Sequence, residues 1–147
     1  MGDCSELLLN RGDEIVALEA ALNRAATGSG AVVLLEGAAG TGKSALVDRA
    51  RGLAQVARLK VLTARGGELE RDYPFGVMRQ LYGPLLARSR DGERARLLAG
   101  AAEPAAWALG LGNGRSASYA AGFAVMHALY WLTVSVATTV LPLVALA

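Results

Sequence analysis

The chain has 147 residues, a length that suits one domain or part of a larger one, and its charges nearly cancel at 15 Lys+Arg against 13 Asp+Glu. Hydrophobic residues make up 53% of it and charged residues 19%, which excludes a disordered tail. One cysteine, Cys4, and one histidine, His127, exclude a disulfide framework, a cysteine-based zinc cluster and a Cys-His-Asn catalytic arrangement.

The charges are unevenly spread. All but Arg115 lie in the first 103 positions, and the basic residues are 13 Arg and only 2 Lys, Lys43 and Lys60. The opening residues lack a basic stretch followed by an apolar one, so no secretory leader is expected. Glu6 stands where an N-myristoylation signal needs Ser or Thr. With a lone cysteine, a reducing, cytoplasmic setting is the expectation.

Along the chain, Ile15, Leu18, Ala21, Leu22 and Ala25 recur at helical spacing and predict a helix over 13–26, with Asp13 as its cap. Thr27-Gly28-Ser29-Gly30 ends it. The apolar run Ala31-Val32-Val33-Leu34-Leu35, bounded by glycines, reads as a strand buried on both faces. A second helical stripe, Leu46, Val47, Ala50, Leu53, Ala54 and Ala57, predicts a helix over 44–57. Lys60-Val61-Leu62-Thr63-Ala64 reads as a second strand. Strand, glycine loop, helix and strand make a βαβ crossover, which implies a parallel sheet.

Beyond it, Pro74 predicts the start of a helix reaching Arg88, and another is expected over 93–102. Residues 103–118, rich in Gly, Ala and Ser, read as a loop. A long apolar helix is predicted over 119–138, and Pro142 separates it from a third strand beginning near Leu141.

The chemistry is concentrated in Gly37-Ala38-Ala39-Gly40-Thr41-Gly42-Lys43-Ser44, which fits G-x-x-x-x-G-K-[ST], the phosphate-binding P-loop. Its glycines permit positive φ and close approach of backbone N–H groups to phosphate oxygens. The helix that follows adds the partial positive charge of its N-terminus, so the amides from Gly37 through Ala45 are the candidate nucleotide-binding groups. Lys43 can reach the β- and γ-phosphates as a mobile point charge. The Ser44 hydroxyl is the candidate ligand for Mg²⁺. No residue is singled out as catalytic.

Four stretches carry a family resemblance: Leu8-Leu9-Asn10-Arg11-Gly12-Asp13-Glu14, Leu35-Glu36 with the P-loop, Glu68-Leu69-Glu70-Arg71-Asp72-Tyr73-Pro74-Phe75-Gly76-Val77, and Phe123-Ala124-Val125-Met126-His127-Ala128-Leu129-Tyr130-Trp131-Leu132. Together they resemble the N-terminal ATPase of large actinobacterial LuxR-type regulators, in the signal-transduction (STAND) branch of AAA-like P-loop ATPases. The resemblance spans nearly the whole chain. It implies a three-layer α/β sandwich with a parallel sheet, in which the strand at 141–147 lies beside that at 31–36. It also implies ATP with Mg²⁺ as ligands and a nucleotide-gated switch as the function. The family has Gly-Arg where this chain has Asn10-Arg11. Its Walker B acids follow the strand that here starts near Leu141, and the sequence ends at Ala147 before them. The expectation is therefore the N-terminal portion of one such domain, incomplete at its C-terminus, binding ATP without efficient turnover.

Other readings compete. A small-molecule P-loop kinase would need an acceptor site, and none is marked, although 73–102 could form a lid. The stretch 119–141 is long enough to span a bilayer and raises a membrane-anchored alternative. Tyr130 and Trp131 fall at its middle rather than at an end, so a core helix is the expectation. His127 has no second His or Cys beside it and reads as a packed histidine. Arg11-Gly12-Asp13 matches an integrin-type tripeptide by coincidence at a helix start. Arg88, Arg90, Arg94 and Arg96 alternate with Asp91 and Glu93, which predicts a solvated face and no nucleic-acid contact. Self-association through the incomplete sheet or helix 119–138 is a further expectation.

Overall fold

A computed structural model describes residues 11–67, 73–111, 122–139 and, as backbone, 142–146. In chain order the elements are α1 (Gly12–Ala26), α2 (Lys43–Val56), β1 (Lys60–Ala64), α3 (Gly76–Arg88), α4 (Asp91–Leu97), a 3-10 turn (Gly100–Ala102), α5 (Ala105–Ala108), α6 (Gly122–Thr139) and β2 (Pro142–Leu146). They fall into two compact units, one holding the described residues through Val61 with β2 up to Ala145, the other running from Leu62 through α6.

In the first unit, α1 buries Leu18, Ala21 and Leu22, and α2 buries Leu46, Ala50 and Ala54. The two stripes meet in two small patches. Leu18, Leu46 and Ala50 pack together with Ile15 and Leu35 at their edge. Leu22, Ala54 and Leu59 form the other, flanked by Leu53 and Val61. Helix α2 ends in a Schellman turn: Leu59 N–H donates to Ala54 O at 2.8 Å and Arg58 N–H to Gln55 O at 3.0 Å. Arg58 occupies the left-handed position of that turn, at φ 58°, where glycine is usual.

The second unit has one continuous core. It gathers Leu62 and Ala64 of β1, Leu81, Tyr82 and Leu86 of α3, Leu97 of α4, Ala105 and Ala108 of α5, and Val125, Ala128, Leu129, Leu132 and Val136 of α6. The five α6 residues recur at the spacing of one helical face, which is why an uncharged helix lies as a core element here. Gly122–Thr139 is also long and apolar enough to cross a membrane by length and composition. Tyr82 is buried, and its hydroxyl meets Thr133 Oγ1 at 2.7 Å while Thr133 donates to Leu129 O. On α6, Phe123, Met126, Tyr130 and Trp131 are exposed, and Trp131 Nε1 donates to His127 Nε2 at 3.0 Å. His127 is thus not a core residue but a link between exposed rings, stacked on Phe123.

Several expectations need correction. Residues 31–35 form no strand, and Val32 is 97% and Leu34 77% exposed. A strand needs neighbours to take its N–H and C=O groups, and no described strand pairs with this segment. Among the described residues the sheet has two strands, β1 and β2, so β2 lies beside β1 rather than beside 31–36. A parallel three-layer sandwich is therefore not what the described residues display. Helix α3 begins two residues after Pro74, because Phe75 takes φ 61°, outside the helical region. The helix expected over 93–102 breaks at Ala99, which is extended before the 3-10 turn, where Gly100 has φ 61°. Pro104 precedes the short α5 inside the expected loop. The expectations for 1–10, 68–72, 112–121, 140–141 and 147 lie outside the described residues; they include Cys4, Glu70, Asp72 and Arg115.

Candidate functional site

The P-loop closes on itself through side-chain bonds to its own carbonyls. Gly40 and Gly42 take φ 80° and 83°, in the left-handed region that favours glycine. A Cβ at either would meet nothing within 4 Å, so the loop presents an open cradle there. At Gly37 a Cβ would come within 2.7 Å of Thr41 Oγ1, so this end of the loop is closed by Thr41. Thr41 Oγ1 donates to Ala38 O at 2.8 Å, which holds the turn. Lys43 Nζ donates to Gly37 O and Ala38 O, both at 2.7 Å. The ammonium thus lies back along the loop, bridging its first two carbonyls.

Helix α2 starts directly from this loop. Its first helical bond is Leu46 N–H to Gly42 O at 3.1 Å. The amides of Lys43, Ser44 and Ala45 precede that bond and have no carbonyl one turn back to donate to. Gly42 provides no side-chain cap, and the first turn carries no acidic residue. Helices α1 and α4 differ: each has two acids in its first turn, Asp13 and Glu14 or Asp91 and Glu93. The α2 terminus is thus left as partial positive charge facing outward, which suits an anionic ligand. Ser44 is exposed in the first turn of α2.

A contact the sequence did not reveal joins α1 to the loop. Arg11 Nη2 donates to Thr41 O at 2.7 Å, and Nη1 bonds Glu14 Oε1 at 2.6 Å. The Glu14 carboxyl is held below the usual carboxylate range, first by that hydrogen bond from Arg11 and then by its own backbone N–H. Arg11-Gly12-Asp13 is therefore a helix start with a defined job for its arginine.

The other singled-out residues lie elsewhere. Glu36 is exposed beside the loop. Arg94 pairs with Asp91 at 2.6 Å, while Arg88, Arg90 and Arg96 are exposed, so this is a solvated face. Among the described residues no cluster of His, Cys, Asp and Glu could hold a metal ion, so Ser44 is the one metal-ligand candidate that the motif supplies.

A family model described as AAA ATPase domain matches residues 7–132. No curated protein matches the chain, and no solved structure does. The matched region contains the whole 37–44 loop, α2 and most of α6. The chain belongs to the AAA ATPase domain family and so to the nucleotide-binding P-loop ATPases.

Proposed function

We propose that the chain binds ATP with Mg²⁺ through the 37–44 loop and serves as the nucleotide-gated switch of a STAND-type signalling ATPase in a transcription regulator. The observation that carries the reading is the junction of loop and helix. Gly40 and Gly42 leave the loop open, the amides of Lys43, Ser44 and Ala45 precede the first bond of α2, and no acid caps them. An anion with several oxygens satisfies those groups together.

In this reading the amides from Gly37 through Ala45 hold the phosphates. Lys43 exchanges its two carbonyl contacts for phosphate oxygens, a smaller change than folding a free side chain would require. Ser44 would hold Mg²⁺, which would supply positive charge to offset that of the phosphates. The preference for ATP and the regulator context rest on the sequence resemblance, and the cytoplasmic setting rests on the lone cysteine. The parallel sheet rests on the same resemblance. The exposed, apolar 31–35 segment supports a sheet that takes it up as a strand, since exposed Val32 and Leu34 gain from burial.

Calorimetric titration of the purified chain with Mg-ATP, Mg-GTP and Mg-ADP tests the proposal, with Lys43→Ala alongside. The expected result is saturable binding of Mg-ATP that Lys43→Ala removes. Binding unchanged in Lys43→Ala, or none in a folded wild-type chain, contradicts it.

A further inference from the structure

We infer that Arg11, held by Glu14, is a positioning residue for phosphate binding, acting through the Thr41 carbonyl; the inference rests on the nucleotide-binding reading above. Thr41 stands between Gly40 and Gly42, both at positive φ, in a loop stretch with few side chains to stiffen it. No described peptide is cis, so the C=O of Thr41 and the N–H of Gly42 point in opposite directions across one planar unit. Arg11 draws the carbonyl to the α1 side at 2.7 Å. That contact sets the Gly42 N–H on the other side of the same plane.

Charge adds to orientation. A guanidinium bonded to a carbonyl polarises the amide and makes its N–H a stronger donor. Glu14 fixes the guanidinium by its own 2.6 Å bond, and both side chains are about one-third exposed, at 36% and 37%. The pair sits where salt and water weaken an ion pair, so its contribution to folding is small. Its effect on the loop is geometric and does not need a large folding contribution. Arg11 and Glu14 both stand at the start of α1, which packs on α2 through Leu18 and Leu46. The scaffold that carries the arginine is thereby fixed to the helix that carries the loop.

The test compares Mg-ATP with inorganic tripolyphosphate, which has phosphates but no base, on the full chain. Wild type, Arg11→Ala, Arg11→Lys, Glu14→Gln and Lys43→Ala are titrated, and the melting of each is recorded without ligand. Arg11→Ala is expected to weaken both ligands by about tenfold, the size of one charge-assisted hydrogen bond, with little change in ligand-free melting. Glu14→Gln, which keeps the shape and loses the charge, is expected to weaken both by a few fold. Arg11→Lys keeps one donor and loses the fork, and should fall between wild type and Arg11→Ala.

Loss confined to ATP, with tripolyphosphate unaffected, would mean that Arg11 serves the base, and it overturns the inference. A lower melting temperature with unchanged affinity in Arg11→Ala and Glu14→Gln makes the pair merely structural and also overturns it. If Arg11→Ala fails to fold, Glu14→Gln decides: unchanged affinity for both ligands overturns the inference. Wild-type binding that Lys43→Ala removes and Arg11→Ala leaves intact overturns the inference while the nucleotide-binding reading stands. Absence of wild-type binding overturns both.

Discussion

The two units of the molecule are packed in different ways. From Leu62 through α6, one core joins β1 to α3, α4, α5 and α6, and Leu86 and Leu132 are fully buried in it. Around the P-loop, α1 and α2 share two small patches, and the neighbouring 31–35 run leaves Val32 and Leu34 exposed. Apolar burial is concentrated in one unit and the phosphate-binding motif lies in the other. The second unit is held by its own apolar burial. The first presents unpaired amides and an open loop, so it has most to gain from a ligand.

Truncation in each core tests that contrast most strongly. Leu132→Ala should cost about 3 kcal/mol, because a fully enclosed leucine leaves a cavity its neighbours cannot fill. Leu46→Ala, between α1 and α2, should cost about 2 kcal/mol, since a small patch can collapse around the loss. Urea unfolding can separate the two. Both tryptophans, Trp107 and Trp131, lie in the second unit, so their fluorescence follows that unit, while hydrogen exchange in α1 and α2 follows the other. An equal or larger cost at Leu46 breaks the contrast.

A smaller effect is expected at Tyr82. Tyr82→Phe keeps the ring in the core and removes the bond to Thr133, at a cost of about 1 kcal/mol visible in tryptophan fluorescence. No cost would place the hydroxyl's partner in solvent instead.

The smallest effect has the opposite sign. Arg58 holds a left-handed conformation that glycine adopts freely, so Arg58→Gly should stabilise the first unit by about 0.5 kcal/mol, after glycine's greater freedom in the unfolded chain is subtracted. Slower exchange of the α2 amides is the readout. Faster exchange would mean that the Arg58 side chain contributes more than its backbone costs.

These positions also show what the sequence could convey. The P-loop was legible because its chemistry demands fixed residue types: glycine at positive φ at Gly40 and Gly42, and a lysine one residue into the helix. Helix α2 and strand β1 were legible because apolar spacing fixes which side faces a neighbour. The 31–35 run misled because an apolar run states a preference for burial, while a strand requires a partner that lies elsewhere in the chain. Phe75 and Arg58 went unseen because bulky residues at positive φ defy the rule that assigns such positions to glycine. The Arg11 contact to Thr41 spans thirty residues and ends on a backbone carbonyl, so no side-chain pattern announces it.

The central claim is that an anionic nucleotide completes the first unit through the P-loop. Hydrogen exchange of the full chain with and without Mg-ATP, in wild type and Lys43→Ala, tests it most directly. The expected result is slowed exchange at the amides of 37–46 and in α1 on adding Mg-ATP, no such change in Lys43→Ala, and an unaltered second-unit core in both. Unchanged exchange across 37–46 in the wild type, or equal protection in Lys43→Ala, would contradict it.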